Sequence, residues 1–213
     1  MIPLSEDSCL PRPGEFYLPF PVSLIRSAPG LRPTARHYPT PFQQYEGTTT
    51  MIRKALPDDA SRIADIQIFG WRNAYRGIVS DKILFSKLNI EKKSQSIRKG
   101  LQDGIEEWYV FEEESIIKGI MSIGKSRDDD KPQSFELWAI YVDPLMMRNG
   151  IGSQMLEYCE TEAREEDYVE NSLWCLENNS IGIGFYEKHG YGRDGKRQNI
   201  EKTVFLKSSL DTE

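Results

Sequence analysis

The run ELWAIYVDPLMMRNGIGSQMLEYCE, residues 136–160, constrains this chain more than any other segment. An apolar strand candidate ends at Asp143-Pro144, where proline withholds the backbone donor that further pairing needs. Arg148-Asn149-Gly150-Ile151-Gly152-Ser153 then leads straight into a segment where Ile151, Met155, Tyr158, Cys159 and Ala163 recur at helical spacing. Small residues at such a turn let consecutive N–H groups approach one point. The first turn of a helix leaves its amide donors unpaired and carries partial positive charge, so the turn suits a pyrophosphate. An ordinary tight connection is the competing reading. It is not a Walker loop, because no G-K-S/T follows, nor the dinucleotide pattern G-x-G-x-x-G, because position 155 is Met. G-x-G alone is weak evidence, since Gly182-Ile183-Gly184 and Gly190-Tyr191-Gly192 also occur. The strand, the proline stop and the helix start set the first one apart.

The surrounding sequence predicts a mixed α/β layer. MIRKAL (51–56) reads as a strand; Pro57 and Asp58-Asp59 then open a helix carrying Ala60, Ile63, Ala64, Ile68, Trp71, Ala74 and Tyr75 as its apolar stripe. Residues 80–103 give one or two further helices. Residues 106–114 and 115–124 read as a hairpin, 135–143 as a strand, 150–167 as a helix, 171–177 as a strand, 179–189 as a helix and 203–208 as a last strand.

Residues 1–50 are different. They hold nine of the twelve prolines, which argues against a helix or a central strand and for a Pro-rich extension, disordered or loosely docked. Met51 as the true start is the alternative, because Glu46-Gly47 would be encoded by a stretch resembling a ribosome-binding site. The expected division is therefore 1–50 and 51–213.

Composition excludes several classes. Against 33 acidic residues stand 27 basic ones, a net charge of −6, which makes non-specific nucleic-acid binding unfavourable. No stretch approaches the ~20 apolar residues of a membrane helix. Three separated cysteines (Cys9, Cys159, Cys175) form no disulfide framework, and with two histidines (His37, His189) they show no zinc-ligand spacing, so no metal and a reduced cytoplasmic setting are expected. Cys159 and Cys175 read as packed core residues. The acidic runs 112–114 and 128–130 read as solvated turns.

Two blocks carry a family resemblance. ELWAIYVDP followed by Met147-Arg148-Asn149-Gly150-Ile151-Gly152 resembles the signature Q/R-x-x-G-x-G/A after a strand of the type ELxxIYVxP, and LWCLENNSIGIGFYEKHGY (173–191) resembles LWVxExNxxAxxFYExxGF. Residues 51–208 thus resemble the GNAT superfamily of acetyl-CoA-dependent N-acetyltransferases. MIRKALPDDA and WRNAYRGIVSD (71–81) are similar to one bacterial branch. The resemblance implies an α/β fold: a mixed, mostly antiparallel sheet with a central splayed parallel strand pair, flanked by helices.

It also implies roles. Backbone groups of Ile140, Tyr141 and Val142 would pair with the pantetheine arm like an extra strand. Amides of Met147, Arg148, Asn149, Gly150, Ile151, Gly152 and Ser153 would hold the pyrophosphate. Asn179, or adjacent Asn178, would help fix the pantetheine. Tyr186 stands at the general-acid position facing the sulfur, an amide of the 140–142 strand could stabilise the oxyanion, and Glu136 aligns with the base of one branch. Trp71 and Tyr75 fall beside the acceptor cleft, where the partner would be an amine of a small molecule or peptide. A homodimer is plausible. Met147 departs from the family's Gln or Arg, and Gly182 and Gly184 replace better helix formers. The rival readings are a non-catalytic CoA-sensing module that regulates a protein partner, and an enzyme with a longer acyl donor.

Overall fold

The computed structural model describes residues 21–27, 43–45 and 48–197. Its strands are β1 (Pro21–Ser27), β2 (Gln43–Tyr45), β3 (Thr48–Lys54), β4 (Tyr109–Glu113), β5 (Ile116–Lys125), β6 (Ser134–Val142), β7 (Glu170–Leu176) and β8 (Gly192–Arg197). Its α-helices are α1 (Ala60–Ala74), α2 (Ile90–Gln102), α3 (Ile151–Glu165) and α4 (Ser180–Lys188). The strands form one sheet in the order β2-β3-β4-β5-β6-β7-β1-β8, antiparallel throughout except where β6 meets β7. The strand predicted at 203–208 lies outside the described residues.

Helices cover both faces of the sheet, so central strands are apolar on both sides. Along β4, Tyr109 and Phe111 join the core beneath α3, while Trp108 just before it and Val110 join the core beneath α1 and α2. Ile63 and Ile97 from those two helices are fully buried there, and Met155, Leu156 and Cys159 fill the opposite side. The sequence predicts this sandwich through the stripes on α1 and α3.

The N-terminal segment corrects an expectation. Residues 21–27 form a central strand, paired with β7 from Pro21↔Leu176 to Ser27↔Glu170 and with β8 along the other edge. Residues 22–28 are free of proline, Val22 and Leu24 are buried in the α3-side core, and Pro21 occupies the first strand position, where a missing N–H is tolerated. Proline density over fifty residues concealed a gap long enough for one strand. The sheet also takes in β2 and the start of β3, so it does not begin at residue 51. β8 was not foreseen either, because GRDGKR has no apolar alternation.

One irregularity in β6 positions the site. Ser122 faces Ala139 but Ile123 faces Leu137, which leaves Trp138 as the extra residue of a bulge. An inserted residue reverses the facing of everything beyond it. Phe135 and Leu137 therefore pack towards α3, yet Ala139 and Tyr141 pack towards α1, and Ile140 and Val142 towards α3.

Candidate active site

β6 and β7 pair only over Ser134–Leu137 against Glu170–Leu173. Beyond that the two strands part. Trp174 to Leu176 keep only β1, which pairs along the whole of the far edge of β7, and Ala139 to Val142 keep β5 on one edge with no described strand on the other. A cavity of about 720 Å³ occupies the gap, within the size range of small-molecule sites.

The turn after β6 is pinned from two sides. The Asp143 carboxylate accepts the Leu145 N–H at 2.9 Å and takes the Arg62 guanidinium of α1 at 2.5 Å. Burial opposes the charge on Asp143, but these donors hold its carboxyl below the usual range. The Asn73 amide contacts the Met147 sulfur at 3.5 Å. Arg148 then adopts φ +67° and Gly150 φ +79°, left-handed conformations that favour glycine. Gly150 is the N-cap of α3 and offers no side-chain cap. The first backbone bond of the helix runs from Gln154 N–H to Gly150 C=O, so the amides of Ile151, Gly152 and Ser153 precede the ladder. That end opens on the cavity, and only Gln154 Nε2, at 3.9 Å, stands near where a Gly150 Cβ would be. The residues fit a bound pyrophosphate.

Most of the expected residues converge here. Ile140, Tyr141, Val142, Met147, Arg148, Gly150, Ile151, Gly152, Ser153, Asn179, Tyr186 and Tyr75 all line the cavity. Asn149 does not; its side-chain amide donates to the Met146 carbonyl. Trp71 is buried behind the wall and donates its indole N–H to the Tyr141 hydroxyl at 2.8 Å, and the Tyr75 hydroxyl shares a hydrogen bond with that same oxygen. Burial, and then the neighbouring Cys175 and Tyr141, raise the Tyr186 phenol well above its usual pKa, so it stays protonated across the neutral range.

Glu136 is elsewhere. Only 1% exposed, it accepts the Arg127 backbone N–H at 2.9 Å and forms an ion pair with the Arg127 guanidinium. Asp128, read from sequence as part of a solvated turn, is half-buried and accepts the Trp174 indole N–H at 3.1 Å. Burial and the charge of Glu136 raise its carboxyl above the usual range. Trp174 follows the last β6–β7 pair directly and lines the cavity, as does the bulged Trp138. Sequence reasoning missed these indoles, since nothing in periodicity marks the residue at which two strands part. Cys175 also lines the cavity, and burial pushes its thiol up to about 12, which keeps it unreactive.

Comparison with known proteins decides the family. The Acetyltransferase (GNAT) family model matches residues 72–191. The chain belongs to the GNAT acetyltransferase family. A probable N-acetyltransferase of Mycobacterium tuberculosis, Rv2775, is 31% identical over 150 residues, spanning 68% of this chain and 81% of that protein. Among solved structures, PaiA N-acetyltransferase from Thermoplasma acidophilum in complex with coenzyme A superposes with TM-score 0.55 at 22% identity, over 70% of this chain and 94% of that one. A GNAT-family acetyltransferase from Listeria monocytogenes gives TM-score 0.55 at 22% identity, over 74% and 95%. This GNAT enzyme is thus an acyltransferase. No helix among its described residues is long and apolar enough to cross a membrane.

Proposed function

We propose that this GNAT enzyme moves an acetyl group from acetyl-CoA directly to a primary amine of a small molecule or peptide. The observation that carries the reading is convergence: the uncapped start of α3, the unpaired edge of β6 and the Tyr186 phenol meet in one cavity. Acetyl-CoA supplies the activated acyl group as a thioester. The amides of Ile151, Gly152 and Ser153 hold its pyrophosphate, and the backbone of Ile140 to Val142 lies along its pantetheine arm. Tyr186 donates its proton to the sulfur as the C–S bond breaks and negative charge gathers there, while the attacking nitrogen, entering as the neutral amine, forms the new C–N bond and releases its own proton to solvent.

Glu136 is the expected base, but its carboxylate is already held by Arg127, which favours a positioning role. Trp138, Trp174 and Tyr75 present aromatic surface to the cavity, and Asp128 sits on Trp174. The Arg127 guanidinium already lies over the Trp138 ring, 5.2 Å from its centroid, so Trp174 and Tyr75 are the rings left to face a cationic acceptor. The test is release of free thiol from acetyl-CoA across a panel of mono-, di- and polyamines and basic peptides, wild type beside Tyr186→Phe. Amine-dependent release lost in Tyr186→Phe supports the reading. Turnover of none of them by a protein that binds acetyl-CoA would overturn it.

A further inference from the structure

His189 ends α4 and stands against the first turn of α3. Its Nδ1 lies 2.8 Å from the Phe185 carbonyl and its Nε2 lies 3.0 Å from the Ser153 hydroxyl. The ring is tilted against Phe185 with centroids 4.6 Å apart, and both His189 and Ser153 line the coenzyme cavity. A carbonyl only accepts, so Nδ1 carries a proton in either charge state. What changes is Nε2. In the neutral ring it is an acceptor, and the Ser153 O–H must donate to it. The serine proton is then turned away from the helix start. In the imidazolium, Nε2–H donates to the serine oxygen, and the hydroxyl proton is free to point at an anion.

We infer that docking of the coenzyme pyrophosphate is coupled to uptake of a proton by His189, which turns the Ser153 hydroxyl from the imidazole to the phosphate. The inference rests on the coenzyme reading above. Imidazole is the side chain that changes charge near neutral pH, and a cation at the C-terminal end of α4 is favoured by the helix dipole. Of the charged groups around His189, Lys188 and Arg148 line the same cavity and oppose the uptake, while Glu187 is exposed on α4. The incoming phosphates offset the two cations. His189 is a positioning residue here, acting through Ser153.

The test is titration calorimetry of the full chain near pH 7 in Pipes and in Tris, whose different ionisation enthalpies reveal protons exchanged on binding. 3′-Dephospho-CoA is the probe, because its pyrophosphate does not titrate near neutrality; CoA and pantetheine are the comparisons. Wild type should take up a fraction of one proton with both nucleotides and none with pantetheine. His189→Gln should take up none and bind dephospho-CoA about tenfold more weakly at pH 6, approaching wild type at pH 8.5. Ser153→Ala, a milder change, should flatten the same pH dependence. Equal uptake in His189→Gln and wild type, or binding to wild type without uptake, would overturn the inference and leave the coenzyme site standing. Failure of wild type to bind either nucleotide would overturn the coenzyme reading itself, and the inference with it.

Discussion

α3 and α4 both carry a G-x-G in their opening turns, from the N-cap in α3 and from the third residue in α4, and they use it in opposite ways. At α4 the Asn179 side chain accepts the Gly182 N–H at 3.0 Å, so the helix caps itself. A Cβ on Gly182 would lie 2.7 Å from Asn179 Nδ2 and 3.0 Å from Cys175 Sγ, so this glycine makes room for the cap. At α3 the cap is Gly150, which has no side chain to offer, and three amides face the cavity. Gly182 at α4 lets protein atoms pack, although Gly184 meets only open space, whereas Gly150 at α3 leaves the helix start without a side-chain cap. The same three letters therefore signal an anion site only where no neighbouring side chain claims the helix start.

The most damaging change should be Gly150→Trp, which places a bulky side chain at φ +79° in the open mouth. We expect at least ~100-fold weaker CoA binding, with about 1–2 kcal/mol of backbone strain and an unchanged circular dichroism spectrum. Binding at wild-type affinity would break the comparison between the helices. Tyr186→Phe should lower kcat about 100-fold while the Kd for CoA moves less than about twofold, read by thiol release and calorimetry. Asn179→Ala should act on the other helix and cost about 1 kcal/mol in urea unfolding, since the capping acceptor is lost. The smallest effect belongs to Met147→Gln. A restored side-chain donor should tighten CoA binding about two- to fivefold, with the contact to Asn73 given up.

The α3 end of the cavity was legible because local chemistry announces it. Asp143-Pro144 stops a strand, Gly150 permits a left-handed cap, and an apolar stripe fixes the face of α3. These signals lie within a few residues of one another. The resemblance then placed Asn179 and Tyr186, which do line the cavity. What escaped depends on partners distant in sequence. β1 owes its place to β7 and β8, some 140 to 175 residues away, and its own seven residues are short and bounded by proline. Glu136 looked available as a base until Arg127, nine positions earlier, folded back onto it. The bulge at Trp138 comes from a register shift against β5 that no periodicity within β6 reveals. His189 read as one of two isolated histidines, because Ser153 is 36 residues upstream.

Amide exchange followed by NMR, with and without CoA, tests the central claim most directly. The account predicts that CoA slows exchange at Ile151, Gly152 and Ser153 and leaves the Gly182 N–H, already bonded to Asn179, little changed. Strong new protection at Gly182 with none at residues 151–153 would contradict it, and the start of α3 would no longer be the pyrophosphate site.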